Sequence, residues 1–486
     1  MKNLNVVKNI SIVLIIFFIP FLDFLKNNIN EIDIILGKSF YLLIIILFCF
    51  LIMFSFIIKF LFKKKDLTTI TLSVVIFYWI LFQHNFLKLS IKPFLYKFSL
   101  TISEYDSEIS LLLLIAIGIY VFLCLKKNNL FVKKFIFIFF FLNFFTSIFQ
   151  IISFNQETSI TKKNEKNYIT YPDILNEKKE NIYFFILDAM QPLKEFEKNF
   201  KLDNKSFLEF VEKKDFKYID NTLNIYDNTT HSLSAFFYLD KIFDNKKQLK
   251  EKTKILYPTV LRENNKSDLM YNLNNLGYKF KWLGNFFAYC PKFNLRYCLN
   301  KNQSSLFDGY LYINFFRQSP LITTIVKLGY IIDFDFDQYI FFELNNGMGR
   351  LTNFLKETKS IEKPTFYFIH HMSPHWPYIN DKNCSYKRYP GDKNFEGYKS
   401  AYLCTLKRIK QTIEFLDEFD PNSTIVFQSD HNWVMSKNKE EKKLIFNLIK
   451  INKSCHIEES INFNNVNTLR LIFSCMTGNN PEYLEN

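Results

Sequence analysis

At 486 residues the chain has room for more than one folding unit, and its 58 Phe within an 18% aromatic content exceed what an ordinary soluble domain carries. The formal charge of +14 would suit a nucleic-acid binder, but residues 1–152 hold 15 Lys against 7 Asp plus Glu, a surplus of 8 that leaves only 6 for the rest. No basic helix, zinc finger or stacking platform accompanies that charge, which excludes nucleic acid as a partner.

Five apolar stretches come first, at about 9–25, 39–62, 69–87, 108–125 and 135–152. Each is about long enough to cross a hydrocarbon core of about 30 Å at 1.5 Å per residue, so residues 1–152 read as a five-helix transmembrane domain. Lys2 and Lys8 precede the first stretch, as in a signal peptide. No small-residue cleavage site follows, and Pro20 and Asp23 fall where the segment meets the interface, so it reads as an anchor. Lysines set the orientation. Lys2 and Lys8, the run Lys63, Lys64 and Lys65, and the set Lys126, Lys127, Lys133 and Lys134 mark three cytoplasmic segments. The alternate connections mix Lys with Asp and Glu and should face out. An odd number of spans then places everything after about residue 153 outside the cytoplasm.

A polar linker over 153–180, rich in Lys, Asn, Glu and Thr, leads to a third part, 181–486, long enough for one α/β core. The expected elements are a strand at 181–188, helices near 205–214 and 231–242, and a strand at 278–283 after the turn signal at Asn275 and Gly277. A strand at 365–370, a long helix over 395–418 and strands at 424–430 and 444–451 follow. Strands alternating with helices predict a mainly parallel central sheet.

Three of these strands end in metal-capable side chains. The run from Asn181 ends at Asp188, the run from Pro364 at His370, and the run from Thr424 at the adjacent pair Asp430 and His431. Ligands in open α/β sheets gather at the carboxyl ends of strands, so the shared polarity predicts one convergent site. Asp and His in that arrangement suit a divalent ion such as Zn²⁺ or Mn²⁺, which acidifies a coordinated hydroxyl and neutralises phosphoryl charge. A nucleophile is offered by Thr229 and Thr230, placed where a loop enters a helix whose amides favour an anion. Such residues are otherwise helix caps.

Eight cysteines are present; Cys49 and Cys124 fall inside apolar spans. The other six, Cys290, Cys298, Cys384, Cys404, Cys455 and Cys475, are even in number and outside the membrane part, which suggests disulfides. Six cysteines allow 15 connectivities; nearest-neighbour pairing is expected. No Cys-x-x-Cys spacing supports a zinc cluster instead.

An acidic residue ending the first strand, a threonine about forty residues later, a His-containing loop and a late Ser429-Asp430-His431 resemble the alkaline phosphatase superfamily, in its sulfatase-like membrane branch. Phosphoethanolamine transferases and lipoteichoic-acid synthases belong there. The resemblance implies a metal site of Asp188, Thr229, Asp430 and His431, with Thr229 the nucleophile. Thr229 is preferred over Thr230 because the family pattern of Thr, two variable residues, Ser and Leu continues here with Ser232 and Leu233. In the loop from His370 to Tyr378, His375 and, more weakly, His370 would contact substrate, while His371 flanks the strand; Trp376 and Tyr378 line the acceptor pocket or pack.

The chain also departs from the pattern. Asp188 stands where transferases of this branch present Glu, and Asn432 where Gly commonly follows the Asp-His pair. Cys290 is followed by Pro291 and Lys292, not by the Cys-x-Pro-x-Arg of formylglycine sulfatases. The expected activity is transfer of a phosphoethanolamine- or phosphoglycerol-like group from a membrane phospholipid to a cell-surface glycan or lipid. The alternatives are hydrolysis of a phosphoric or sulfuric ester by the same site, and an inactive membrane scaffold.

Overall fold

The computed structural model describes residues 2–28, 38–61, 67–82, 106–126, 130–160, 168–175, 179–243, 256–261, 267–285, 315–316, 318–320, 324, 346–358, 364–387, 395–433, 435, 441–451, 455 and 463–485. The chain forms two compact units, Met1–Lys163 with Ser305–Phe336, and Asn164–Ser304 with Asp337–Asn486.

The first unit is helical: Lys2–Asn27, Lys38–Leu61, Leu67–Leu81, Asp106–Lys126 and Leu130–Ile160. Among the described residues two helices are long and apolar enough to cross a membrane, through Ile10–Asn27 and Phe40–Leu61. Ile70–Leu81, Leu111–Tyr120 and Phe137–Ser153 are shorter apolar helices. Phenylalanine dominates the contacts between these helices. Phe17 lies against Phe48 and Tyr78, and Trp79 packs edge-on to Phe140 at 4.8 Å. Phe315, from the later segment, is fully buried and stacks on Phe21 at 4.6 Å.

The second unit is built on a six-stranded sheet: β1 (Ile182–Leu187), β2 (Lys217–Tyr218), β3 (Lys279–Leu283), β4 (Thr365–His371), β5 (Thr424–Ser429) and β6 (Asn447–Lys450). Their spatial order is β2-β6-β5-β1-β4-β3. Neighbours among β5, β1, β4 and β3 pair parallel, whereas β6 runs antiparallel to β5 and to β2. The sheet is thus mixed, with its parallel part at the centre.

The apolar runs follow from burial on both faces. Ile182, Phe184 and Ile186 of β1 join one core with Phe236, Leu273 and Ile472, so the helices Thr229–Tyr238, Asp268–Asn275 and Asn467–Thr477 cover that face. Tyr183, Phe185 and Leu187 join the other, with Phe196, Phe207, Leu351 and Tyr402 from Leu193–Phe200, Lys205–Glu212, Gly347–Thr358 and Phe395–Phe419. Four of these helices, Leu193–Phe200, Asp268–Asn275, Gly347–Thr358 and Asn467–Thr477, have no counterpart in the sequence reading. Three of them span 8 to 11 residues, too short for propensity to hold in isolation, so tertiary packing makes them. Disulfides join Cys384 to Cys404 and Cys455 to Cys475, with Cα atoms 4.9 and 5.6 Å apart, as nearest-neighbour pairing expects. Cys290 and Cys298 lie outside the described residues.

Candidate active site and metal centre

The central strands β4, β1 and β5 are adjacent and parallel, and Leu187 pairs with both His371 and Ser429. Their carboxyl ends therefore open on one edge, which brings Asp188, His370, Asp430 and His431 together across some 240 residues of chain. Asp188 Oδ2 lies 3.1 Å from His370 Nε2, and His431 Nε2 lies 3.5 Å from Asp188 Oδ1 and 3.6 Å from Asp430 Oδ2. Ligand atoms of Asp188, His370 and Asp430 all fall within 4.8 Å of one another.

The turn after β1 is built to hold this cluster. Ala189 takes a left-handed backbone at φ 59, a strained choice for a residue with a Cβ, and its N–H donates to Asp430 Oδ1 at 3.2 Å. Helix Phe395–Phe419 supplies the restraint. Tyr398 Oη donates to the Ala189 carbonyl and accepts from Gln191 N–H, while Tyr402, one turn on, donates to the Gln191 carbonyl. On the β4 side, Gly347 admits close approach: a Cβ there would meet Ile369 Cγ2 at 2.9 Å.

Thr229 opens its helix, and Asn228, not Thr229, is the cap, its side chain accepting from His231 N–H at 3.0 Å. The threonine hydroxyl is thereby left for the site, where Oγ1 lies 3.2 Å from His431 Nε2. Ser232 donates to the Tyr226 carbonyl and Leu233 enters the core, so both following residues are structural.

The electrostatics are those of a cation site. Burial raises the Asp188 carboxyl, but His375, His370 and His431 outweigh it and hold it at about 2. Burial and then the Asp188 carboxylate push Asp430 up. Burial disfavours a charged His431, yet the Asp430 and Asp188 carboxylates prevail and raise it. Asp188 Oδ1 and Asp430 Oδ2 are buried with no hydrogen-bond partner among the described residues. His431 Nδ1 faces the Asn432 carbonyl at 2.8 Å, which requires a proton there and directs the Nε2 lone pair at the two carboxylates and Thr229. Orphaned carboxylate oxygens and an inward imidazole lone pair fit a divalent cation.

The remaining expected residues separate. His375 is part-exposed, Nδ1 against the Trp376 carbonyl, its ring centroid 6.4 Å from that of His431. His370 is buried against Asp188 and Tyr257, inside the carboxylate cluster and not on the open loop. His371 points to the other face, its imidazole pushed well down by burial. Tyr378 packs, accepting from Trp433 Nε1 at 3.1 Å, while Trp376 is exposed. Asn432 uses its amide to reach Glu195 and the Leu444 carbonyl, so the departure from Gly has a structural use. The sequence reading missed Asn228, Tyr257, Tyr398 and Tyr402. Only the cap before Thr229 and the i, i+4 tyrosines left a local signal.

No protein-family model and no curated protein matches the chain. Among solved structures it is similar to the C-terminal periplasmic domain of EcEptC from Escherichia coli in complex with Zn, at 13% identity and TM-score 0.38, over 63% of this chain and 84% of that one. It is also similar to the integral membrane lipooligosaccharide phosphoethanolamine transferase A from Neisseria meningitidis, at 12% identity and TM-score 0.39, over 76% and 70%. An alkaline phosphatase superfamily protein from Vibrio parahaemolyticus follows at 10% identity and TM-score 0.37, over 66% and 75%. With TM-scores below 0.5 these likenesses add nothing to the chemistry, which rests on the side chains above. Phosphoethanolamine transferases and a protein of the alkaline phosphatase superfamily are thus among the solved structures that the chain is similar to.

Proposed function

We propose that the chain is a membrane-anchored, metal-dependent phosphotransferase. It moves a phosphoethanolamine- or phosphoglycerol-like group from a phospholipid to a cell-surface glycan or lipid through Thr229. The carrying observation is the Thr229 hydroxyl, released from capping by Asn228 and set 3.2 Å from His431 Nε2 beside two orphaned carboxylate oxygens.

Asp188, Asp430, His431 and Thr229 would hold the cation. A bound divalent ion supplies positive charge that acidifies the threonine hydroxyl and offsets charge on the phosphoryl oxygens. Thr229 Oγ1, its proton released to solvent water, bonds to phosphorus as the bond from phosphorus to the diacylglycerol oxygen breaks, and it departs in the second step as the same deprotonated oxygen. The start of the helix that opens at Thr229 would favour the charge of the phosphoryl group. His375, part-exposed at the opening with Nδ1 turned to the Trp376 carbonyl, presents Nε2 to donate the proton the leaving oxygen needs. An acceptor hydroxyl then attacks phosphorus, giving its proton to His375 and freeing Thr229. A lipid donor accounts for the tether, and the lysines that flank the apolar stretches support a site outside the cytoplasm.

Thr229→Ala lowers diacylglycerol release from labelled phospholipid vesicles by at least about a thousand-fold, with an unchanged thermal melt. Wild-type protein quenched in acid carries the headgroup phosphate on the peptide containing Thr229. Full activity in the variant sinks the proposal, and release of free headgroup phosphate without an acceptor product identifies hydrolysis.

A further inference from the structure

Tyr257 is buried and stacks on Phe237 of the helix that begins at Thr229. Its backbone N–H donates to Ser234 Oγ of the same helix at 2.7 Å. So held, its Oη sits 3.0 Å from His370 Nδ1, and His370 Nε2 sits 3.1 Å from Asp188 Oδ2. An ionised carboxylate only accepts hydrogen bonds, so the Nε2 that faces it must carry hydrogen. In the neutral imidazole Nδ1 then holds the lone pair, and the phenol must donate into it.

In that tautomer Nε2 has no lone pair to offer a cation, and the Nδ1 lone pair is taken by the Tyr257 hydroxyl. We infer that His370, although its Nε2 lies among the metal-capable atoms, is not a ligand: Tyr257 and His370 form a clamp that holds Asp188 Oδ2 and leaves Oδ1 for the cation. Oδ1 is the orphaned oxygen, and it faces His431 Nε2 at 3.5 Å. Tyr257 and His370 are thus positioning residues, tying the helix of the nucleophile to the first-strand ligand. Partners that orient metal ligands are worth about 10- to 100-fold in affinity. The inference rests on the metal reading above.

Full-length protein in detergent, stripped and reloaded with one equivalent of Zn²⁺, tests it by zinc-edge X-ray absorption and by chelator competition. His370→Gln places an amide N–H near the former Nε2 position, so the number of imidazoles on zinc stays as in wild type and affinity stays within about threefold, while Tyr257→Phe weakens zinc about tenfold. One imidazole fewer in His370→Gln overturns the clamp while leaving the metal site standing. Unchanged affinity in both Tyr257→Phe and His370→Ala also overturns it. Wild-type protein that binds no stoichiometric zinc overturns the metal reading itself and the clamp with it. Should Tyr257→Phe fail to fold, His370→Gln still decides.

Discussion

Asp430 shows how much a single carboxyl in this site depends on a cation. Its Oδ1 accepts from Ala189 N–H and from His431 N–H, while Oδ2 is buried and has no hydrogen-bond partner among the described residues. Burial and the Asp188 carboxylate raise its pKa. An acid raised in the fold costs stability above its folded pKa and nothing below its unfolded value near 3.8. Asp430→Asn should therefore stabilise the metal-free protein at neutral pH, by roughly 1 kcal/mol for removal of an unsatisfied buried acceptor, with the gain vanishing in acid. If Asp430 holds the cation as proposed, the same variant should bind zinc at least about a hundred-fold more weakly. Chelated and zinc-loaded melts at pH 4 and pH 7.5 check both signs. His431 bears on the proposed loaded protein: its Nε2 lone pair would take either a proton or the cation, and the neighbouring carboxylates raise its pKa against burial. Zinc affinity should fall as pH drops through that raised value, read by chelator competition from pH 8.5 to 6.

At the scale of elements, helix Phe395–Phe419 connects packing to chemistry. Tyr398 and Tyr402 lie one turn apart, so both hydroxyls reach the turn that follows Asp188. Tyr398→Phe leaves the Ala189 carbonyl and the Gln191 N–H without that partner and should cost about 1–3 kcal/mol in urea unfolding. It should also weaken zinc binding, because Ala189 N–H holds Asp430. Unchanged affinity would show that the strained turn stands without the helix. This relationship was invisible in the sequence, where Tyr398 is 209 residues from Ala189. The strands were legible: β1, β4 and β5 are buried on both faces, so each is a continuous apolar run that stops at a polar side chain. The antiparallel β6 was legible as a strand and not in its direction, because hydrophobic pattern carries no polarity.

The whole molecule joins two kinds of surface. In the first unit Phe60 is 74% exposed and Ile45 58%, on a helix with apolar side chains all round, a surface suited to lipid. The chain should stay with membranes through alkaline carbonate washing. In intact spheroplasts, Lys64→Cys and Lys127→Cys should resist an impermeant maleimide that labels Asn164→Cys. Labelling at position 64 would reverse the orientation that the lysines imply. By itself the sequence determined the apolar stretches, their lysine asymmetry and the three strands ending in Asp188, His370 and Asp430, because hydrophobic period and charge are written locally in the chain. Only the tertiary structure decided that Thr229 meets His431, that His370 faces Asp188 while His371 turns away, and that Tyr257 and Tyr398 brace the site. Those outcomes depend on hydrogen bonds between residues far apart in sequence, whose direction is set by packing and by which buried acceptor would otherwise go unpaired.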